Sequence, residues 1–321
     1  MDKKDPKSEP HLDYVDYDKL PTLKEEQIKD EFILTQIPRL NEIPKWEINF
    51  STMIYFRCLN KQNPEKLKIV LPKIIPFLNK LSNSIRSGIS KLSMILMGEV
   101  LNSFSIEKNE DINLIKEIVG IVLHGTFSTK AFLKNTANNI LKINVIENSK
   151  YENFDFTIEL IDLMRNEKTI ISDTAYNVYE NIIKKVKLDN INNDSWNNFF
   201  IRIEELYEKK RDIYTKKCLK ILNFFFEKMG KDVLMNKLKE LGKEEKINLY
   251  ENWIKLGTKK NIQTKMSFKE FRKLKTVKVP VDEIILNENN ENLNRPMQEN
   301  NIIINNNNIN KENELNDDDI I

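Results

Sequence analysis

The chain has 321 residues, 40% hydrophobic and 31% charged, enough for one large core, two small ones or an extended solenoid. No apolar run approaches the roughly 18 residues that cross a bilayer, and the opening MDKKDPKSEPHLDYVDYDKLP is too charged for a secretory signal, so neither secretion nor membrane spanning is expected. Seven glycines and two histidines, His11 and His124, leave nucleotide loops, histidine triads and multi-histidine metal sites without material. No enzyme activity, cofactor or metal is therefore expected, and Cys58 and Cys218, far apart within apolar helical patterns, read as buried thiols of a reducing compartment.

The net charge of +2 hides a sorting by segment. Residues 1–257 sum to about +3, residues 258–286 to about +5 and residues 287–321 to about −6. In chain order, residues 1–24 read as a flexible leader. From 25 to 257 the apolar residues recur at helical spacing, interrupted every fifteen to twenty residues by short polar loops, and strand-like alternation is scarce. The periodicity predicts helices over 25–41, 47–60, 64–82, 87–104, 111–124, 130–145, 153–165, 170–187, 194–208, 213–229, 231–241 and 243–256. Taken in pairs they start at 25, 64, 111, 153, 194 and 231, with offsets of 39, 47, 42, 41 and 37 residues.

A two-helix unit with a period near 40 to 47 residues is the signature of HEAT or armadillo-like arrays, in which no repeat buries its apolar face without a neighbour. The expected fold is all-α: an α-solenoid of about six HEAT-like helix pairs with disordered termini. Residues 258–286 form a basic amphipathic segment that either caps the array or grips an acidic or anionic surface, and residues 287–321, with 14 Asn, read as a disordered acidic tail.

In such an array the loops inside each pair share one edge. The first holds Lys45 and Trp46, and an exposed tryptophan there is costly unless a side chain or partner covers it. The second reads LSNSIRSGISK, with Arg86 at the turn, Ser87 as N-cap, and Ser90 and Lys91 in the first helical turn. A lysine there opposes the helix dipole, which favours an external anion. The third supplies Lys130 and Lys134, and the fifth Lys209, Lys210 and Arg211. Four of the six loops on this edge are basic.

These residues resemble the TOG domain, a module of six HEAT repeats that binds the αβ-tubulin heterodimer through its intra-repeat loops, and are most similar to its CLASP and crescerin branch. The likeness rests on KWE at Lys45 to Glu47, on SIRSGISKLSMILMGEVL at 84–101 with Arg86, Ser87, Ser90, Lys91, Gly98 and Glu99 in register, and on KAFLKNTANNIL at 130–141 with Phe132, Leu133, Lys134 and Ala137 in place. It covers roughly residues 25–257. The chain departs from the pattern in the fourth repeat, where Ser172 and Asp173 stand in place of a basic residue, and in the fifth, where Tyr214 stands where arginine is usual.

The resemblance implies a regulator of microtubules, with Trp46, Arg86 and Lys91 meeting β-tubulin, Lys134 central, and the fourth and fifth loops approaching α-tubulin. The partners expected are αβ-tubulin or microtubules and other cytoskeletal proteins, in the cytoplasm and cytoskeleton, with the cilium, axoneme or spindle as finer locations. The alternative is a HEAT-repeat scaffold for a non-tubulin protein. Nucleic acid is not expected, because only one short segment is basic enough and no aromatic stacking platform accompanies it.

Overall fold

A computed structural model describes residues 15–42, 45–209 and 212–260. Among these residues there are twelve α-helices and no strand. In chain order they are α1 Asp30–Gln36, α2 Trp46–Gln62, α3 Pro64–Ser82, α4 Ser87–Ser103, α5 Asn109–Gly125, α6 Ala131–Ile140, α7 Phe154–Leu163, α8 Thr169–Ile183, α9 Asn193–Glu208, α10 Asp212–Met229, α11 Lys231–Glu240 and α12 Ile247–Lys260.

The residues of α3 show why the segments are helical. Asn63 caps it, its side chain accepting from the Lys66 N–H at 3.1 Å, and Pro64 occupies the first position, where no N–H is needed. Leu67, Val70, Leu71, Ile74, Ile75, Leu78 and Leu81 then recur every three or four residues and are all buried. Pro72 and Pro76 sit one turn apart on the exposed face, so the carbonyls they leave without an N–H partner open toward water and not into the core.

Most predicted helices match to within a few residues, and the misses have local causes. The span 25–41 is not one helix: a 3-10 turn at Glu25–Ile28, α1 and a 3-10 turn at Pro38–Asn41 share it. Lys29 is extended, with ψ of 142°, and Pro38 has no N–H to continue the ladder. The helix expected over 130–145 changes at Leu141 into a π-helical turn running to Ile146, which turns both Leu141 and Val145 inward. Within the span read as a leader, Tyr17–Lys19 forms a 3-10 turn, Leu20 is buried, and the Leu23 N–H donates to Gln62 Oε1 at 3.1 Å. All but the first three of residues 258–286, and the whole of 287–321, lie outside the described residues.

The helices stack as pairs in two layers. Within pairs α3 packs on α4, α5 on α6, α7 on α8 and α9 on α10. Between pairs α3, α5, α7 and α9 form one layer, while α2, α4 and α6 follow one another in the second, which α10 and α12 continue. One core cluster runs from Ile33 to Trp253, and its densest aromatic knot joins Phe154, Trp196, Phe199 and Phe225 with ring centroids 4.7 to 6.1 Å apart. Each such ring buries on the order of 150 to 250 Å², so this knot holds three helices together.

Polar ties repeat with the same period. Arg57 on α2 grips Glu99 on α4, Lys68 on α3 pairs with Asp111 on α5, Lys116 on α5 with Glu159 and Asp162 on α7, and Lys217 on α10 with Asp173 on α8. The hydrogen-bonded partners Arg57–Glu99, Lys116–Glu159 and Lys217–Ser172 lie 42, 43 and 45 residues apart, one repeat each. An ion pair is a poor source of net stability, but one that spans a repeat fixes the register of the stack.

Candidate functional site

Stacking brings the loops inside each pair to one edge and the loops between pairs to the other, and the two edges differ in chemistry. On the edge between pairs, four helix starts are capped by side chains: Asn63 for α3, Asn153 for α7, Asn192 for α9, and Asp111, which accepts from the Glu107 and Lys108 N–H groups at 3.0 Å, for α5, whose N-cap residue is Lys108. The fifth, α11, starts at Gly230 with no side-chain cap. On the loop edge inside pairs, the N-cap residues of α2, α4, α6 and α8 are Lys45, Arg86, Lys130 and Lys168, and none of them caps with its side chain. A cation beside the positive end of a helix costs about 0.3 to 1 kcal/mol, so four in succession leave an edge that gains from meeting negative charge.

Three of these loops share a local design. Ser84 Oγ accepts from the Arg86 N–H at 3.3 Å, Ser128 Oγ from the Lys130 N–H at 3.2 Å, and Asn166 Oδ1 from the Lys168 N–H at 3.0 Å. Each cation follows its polar residue by two, and Arg86, Lys130 and Lys168 have nearly equal backbone angles, φ −72 to −80° and ψ 109 to 112°. The turn that starts the helix thus also fixes where the cation sits.

Neighbouring loops are tied to one another. The Arg86 guanidinium lies 5.1 Å from the centre of the Trp46 ring, and the Lys130 ammonium donates to the Ile85 carbonyl at 3.0 Å. Lys168 sits 4.6 Å over the Phe127 ring, and the Tyr214 hydroxyl donates to the Asn166 carbonyl at 2.8 Å. Between the cations stand apolar tips: Ile85 is 95% exposed, Ile170 51% and Phe127 44%. Behind Trp46 and Arg86 a groove of about 350 Å³ is walled by Leu40, Leu81, Ile85 and Ile89.

The sequence-derived site residues fall as follows. Lys45, Arg86 and Lys134 are exposed, while Trp46, Lys91 and Lys130 are half-buried. Trp46 and Arg86 come together, and Lys130 reaches back to the loop that carries Arg86. Lys210 and Arg211 lie outside the described residues. Ser87 is not the N-cap of α4: it is the first helical residue and Arg86 takes the cap position. Tyr214 is buried against the fourth loop and does not stand on the surface in place of arginine.

Asp173, which stands where the family pattern has a basic residue, is held at 2.7 Å by Lys217, and a cation of the fourth loop is supplied by Lys168 instead. Lys168, Phe127 and Ile85 were missed as site residues. Their signal in the sequence is the spacing of Ser84 to Arg86, Ser128 to Lys130 and Asn166 to Lys168, each just ahead of a helix.

Several residues that carry the family resemblance are occupied with packing. A Cβ on Gly98 would lie 2.9 Å from Ile140 Cγ1, so glycine lets α4 and α6 approach. Glu99 is clamped by Arg57, and Ser90, Leu133 and Ala137 are buried. Lys45, Trp46 and Arg86 are members of the pattern that stand on the loop edge. Among the described residues no helix is long and apolar enough to cross a membrane, and no cluster of His, Cys, Asp and Glu could hold a metal ion. No protein-family model matches this chain, and no curated protein matches it. Fold and edge together define an all-α helical-repeat protein with a basic, apolar-tipped loop edge.

Proposed function

We propose that this protein binds αβ-tubulin or microtubules and regulates their dynamics or organisation through the loop edge of a single TOG-like domain. The observation that carries the proposal is the edge itself, where Lys45, Arg86, Lys130 and Lys168 alternate with Trp46, Ile85, Phe127 and Ile170. Such a row suits an acidic protein surface with apolar footholds, and tubulin is acidic. Rim cations contribute about 0.2 to 1 kcal/mol each and steer the encounter, while a desolvated Trp46 anchor contributes on the order of 2 kcal/mol. The protein acts by binding and not by catalysis: a preference for one curvature of tubulin over another shifts assembly by differential affinity. This reading puts the protein in the cytoplasm on the cytoskeleton, including the cilium, axoneme or spindle. A single domain concentrates at a polymer only with a second contact, a part that residues 258–286, with eight basic residues, are composed to play.

A second reading, a helical-repeat scaffold for another protein, is favoured by one observation: Trp46 is half-covered by Arg86, and several other residues of the TOG-like pattern serve the interior. The test is co-elution of the full chain with αβ-tubulin on size exclusion, beside microtubule co-sedimentation, comparing wild type with Trp46→Ala plus Arg86→Ala and with Arg86→Glu alone. Binding by wild type that both variants lose supports tubulin. Absence of binding by the wild type removes the tubulin reading and leaves the scaffold.

A further inference from the structure

Between the ends of α3 and α5 and the start of α6 lies a pocket of about 210 Å³. Its charge is one-sided: Lys130, Lys168 and His124 line it together with hydroxyl residues and apolar side chains, and no carboxylate among the described residues does. A pocket rich in donors and lacking acceptors of negative charge is matched to an anion.

The two cations are held in place before any ligand arrives. Lys130 Nζ donates to the Ile85 carbonyl at 3.0 Å and lies 3.5 Å from that of Ser84, and Lys168 rests over the Phe127 ring. Side chains already ordered lose little freedom on binding. Partial burial, and then the Lys168 charge, lower the imidazole of His124 from its ordinary value of 6.5. The charged groups that line the pocket with it are Lys168, ahead of α8, and Lys130, ahead of α6; α3 and α4 contribute only uncharged residues. A histidine beside two lysines reports the arrival of an anion by taking up a proton.

We propose that this pocket is the subsite for a single carboxylate side chain of an acidic protein partner, gripped between Lys130 and Lys168 with His124 as the group that protonates on binding. The acidity of the partner rests on the reading given under "Proposed function"; the chemistry of the pocket stands on its own lining. A carboxylate is favoured over a phosphate group because no arginine fork lines the pocket and one of its two lysines already spends donors on carbonyls.

The test reads His124 directly in the full chain, by NMR titration of its imidazole, distinguished from His11 with the variant His124→Gln. The probes are the blocked peptides acetyl-Glu-Glu-Glu-amide and acetyl-Gln-Gln-Gln-amide, with inorganic phosphate as a third arm. The glutamate peptide is expected to raise the His124 midpoint by about half a pH unit, a threefold preference for the protonated form. The glutamine peptide leaves it unmoved, and Lys130→Gln with Lys168→Gln abolishes the shift while the backbone spectrum stays dispersed.

A midpoint unmoved by the glutamate peptide overturns the proposal. So does a shift that survives the double lysine variant, or one produced by phosphate and not by the peptide. No tubulin enters this experiment, so a failure of the tubulin reading leaves its result intact, and the reverse also holds.

Discussion

Replacing Arg57 by methionine is expected to be among the most damaging single changes in the stack, and Glu99 explains why. The Arg57 side chain is 2% exposed and that of Glu99 13%, with Arg57 Nη2 2.6 Å from Glu99 Oε1 and Nε within 3.0 Å of both carboxylate oxygens. Burial raises the Glu99 carboxyl above its ordinary value of 4.5, and the hydrogen bond and charge of Arg57 recover only part of that. Arg57→Met leaves this carboxylate buried without its partner, at a cost of about 3 to 5 kcal/mol at pH 7, whereas removing both charges with Arg57→Met and Glu99→Leu returns stability to within about 1 kcal/mol of wild type.

The pH dependence has a definite sign. A carboxyl whose folded pKa is raised gives stability that is fully present below its unfolded value and is lost as pH rises through the folded value. The single variant therefore regains stability as pH falls from 7 toward 5, and the double variant, which lacks the carboxyl, does not. Urea unfolding followed by circular dichroism at both pH values measures all of this. A single variant within about 1 kcal/mol of wild type at pH 7, or a double variant as unstable as the single, refutes the reasoning.

Other predictions follow from the remaining ties. Lys217, 5% exposed and bound to Ser172 Oγ and Asp173, is expected to cost about 2 to 3 kcal/mol when changed to alanine, while exposed Lys220→Ala costs under about 1 kcal/mol; urea midpoints compare them. Burial pushes Asp162 and Asp111 up, but hydrogen bonds and charge from Lys116 on the first, and from Lys68 and the Glu107 and Lys108 N–H groups on the second, bring both below 3.8. Depressed carboxyls give stability present above their unfolded value and lost as pH falls through the folded one, so acid unfolding sets in below about pH 4. Lys116→Gln moves that midpoint to higher pH, as read by circular dichroism. Both thiols are buried, with that of Cys218 pushed up to about 12, so a thiol-reactive dye is expected to label neither cysteine until the chain unfolds.

The helices were legible because their signal is local. Apolar residues three and four apart mark α3 as plainly in the sequence as in the packed array, and even the repeat period can be read from helix starts. Arg57 and Glu99 could not be paired in advance, since partners one repeat apart in sequence meet only once the stack exists. The basic character of the loop edge was visible as charge. That Arg86, Lys130 and Lys168 occupy equivalent cap positions was not, because it depends on a turn set by the polar residue two places earlier. Asp173 misled for the same reason: its charge is answered by Lys217, 44 residues further on, and not by a partner. Gly98 and Glu99 carried resemblance, and what they preserve is the contact of α4 with α6 and α2.

The cationic loop edge, and not total charge, is the surface proposed to meet tubulin. The measurement is the affinity of the full chain for αβ-tubulin at two salt concentrations, for wild type, for Arg86→Glu with Lys168→Glu, and for Lys108→Glu with Lys187→Glu on the opposite edge. Both double variants change net charge equally. Wild type is expected to bind in a salt-sensitive manner, the loop-edge variant to lose roughly tenfold or more, and the other to change by no more than about twofold. Equal losses in the two variants, or no binding by the wild type, would contradict that proposal.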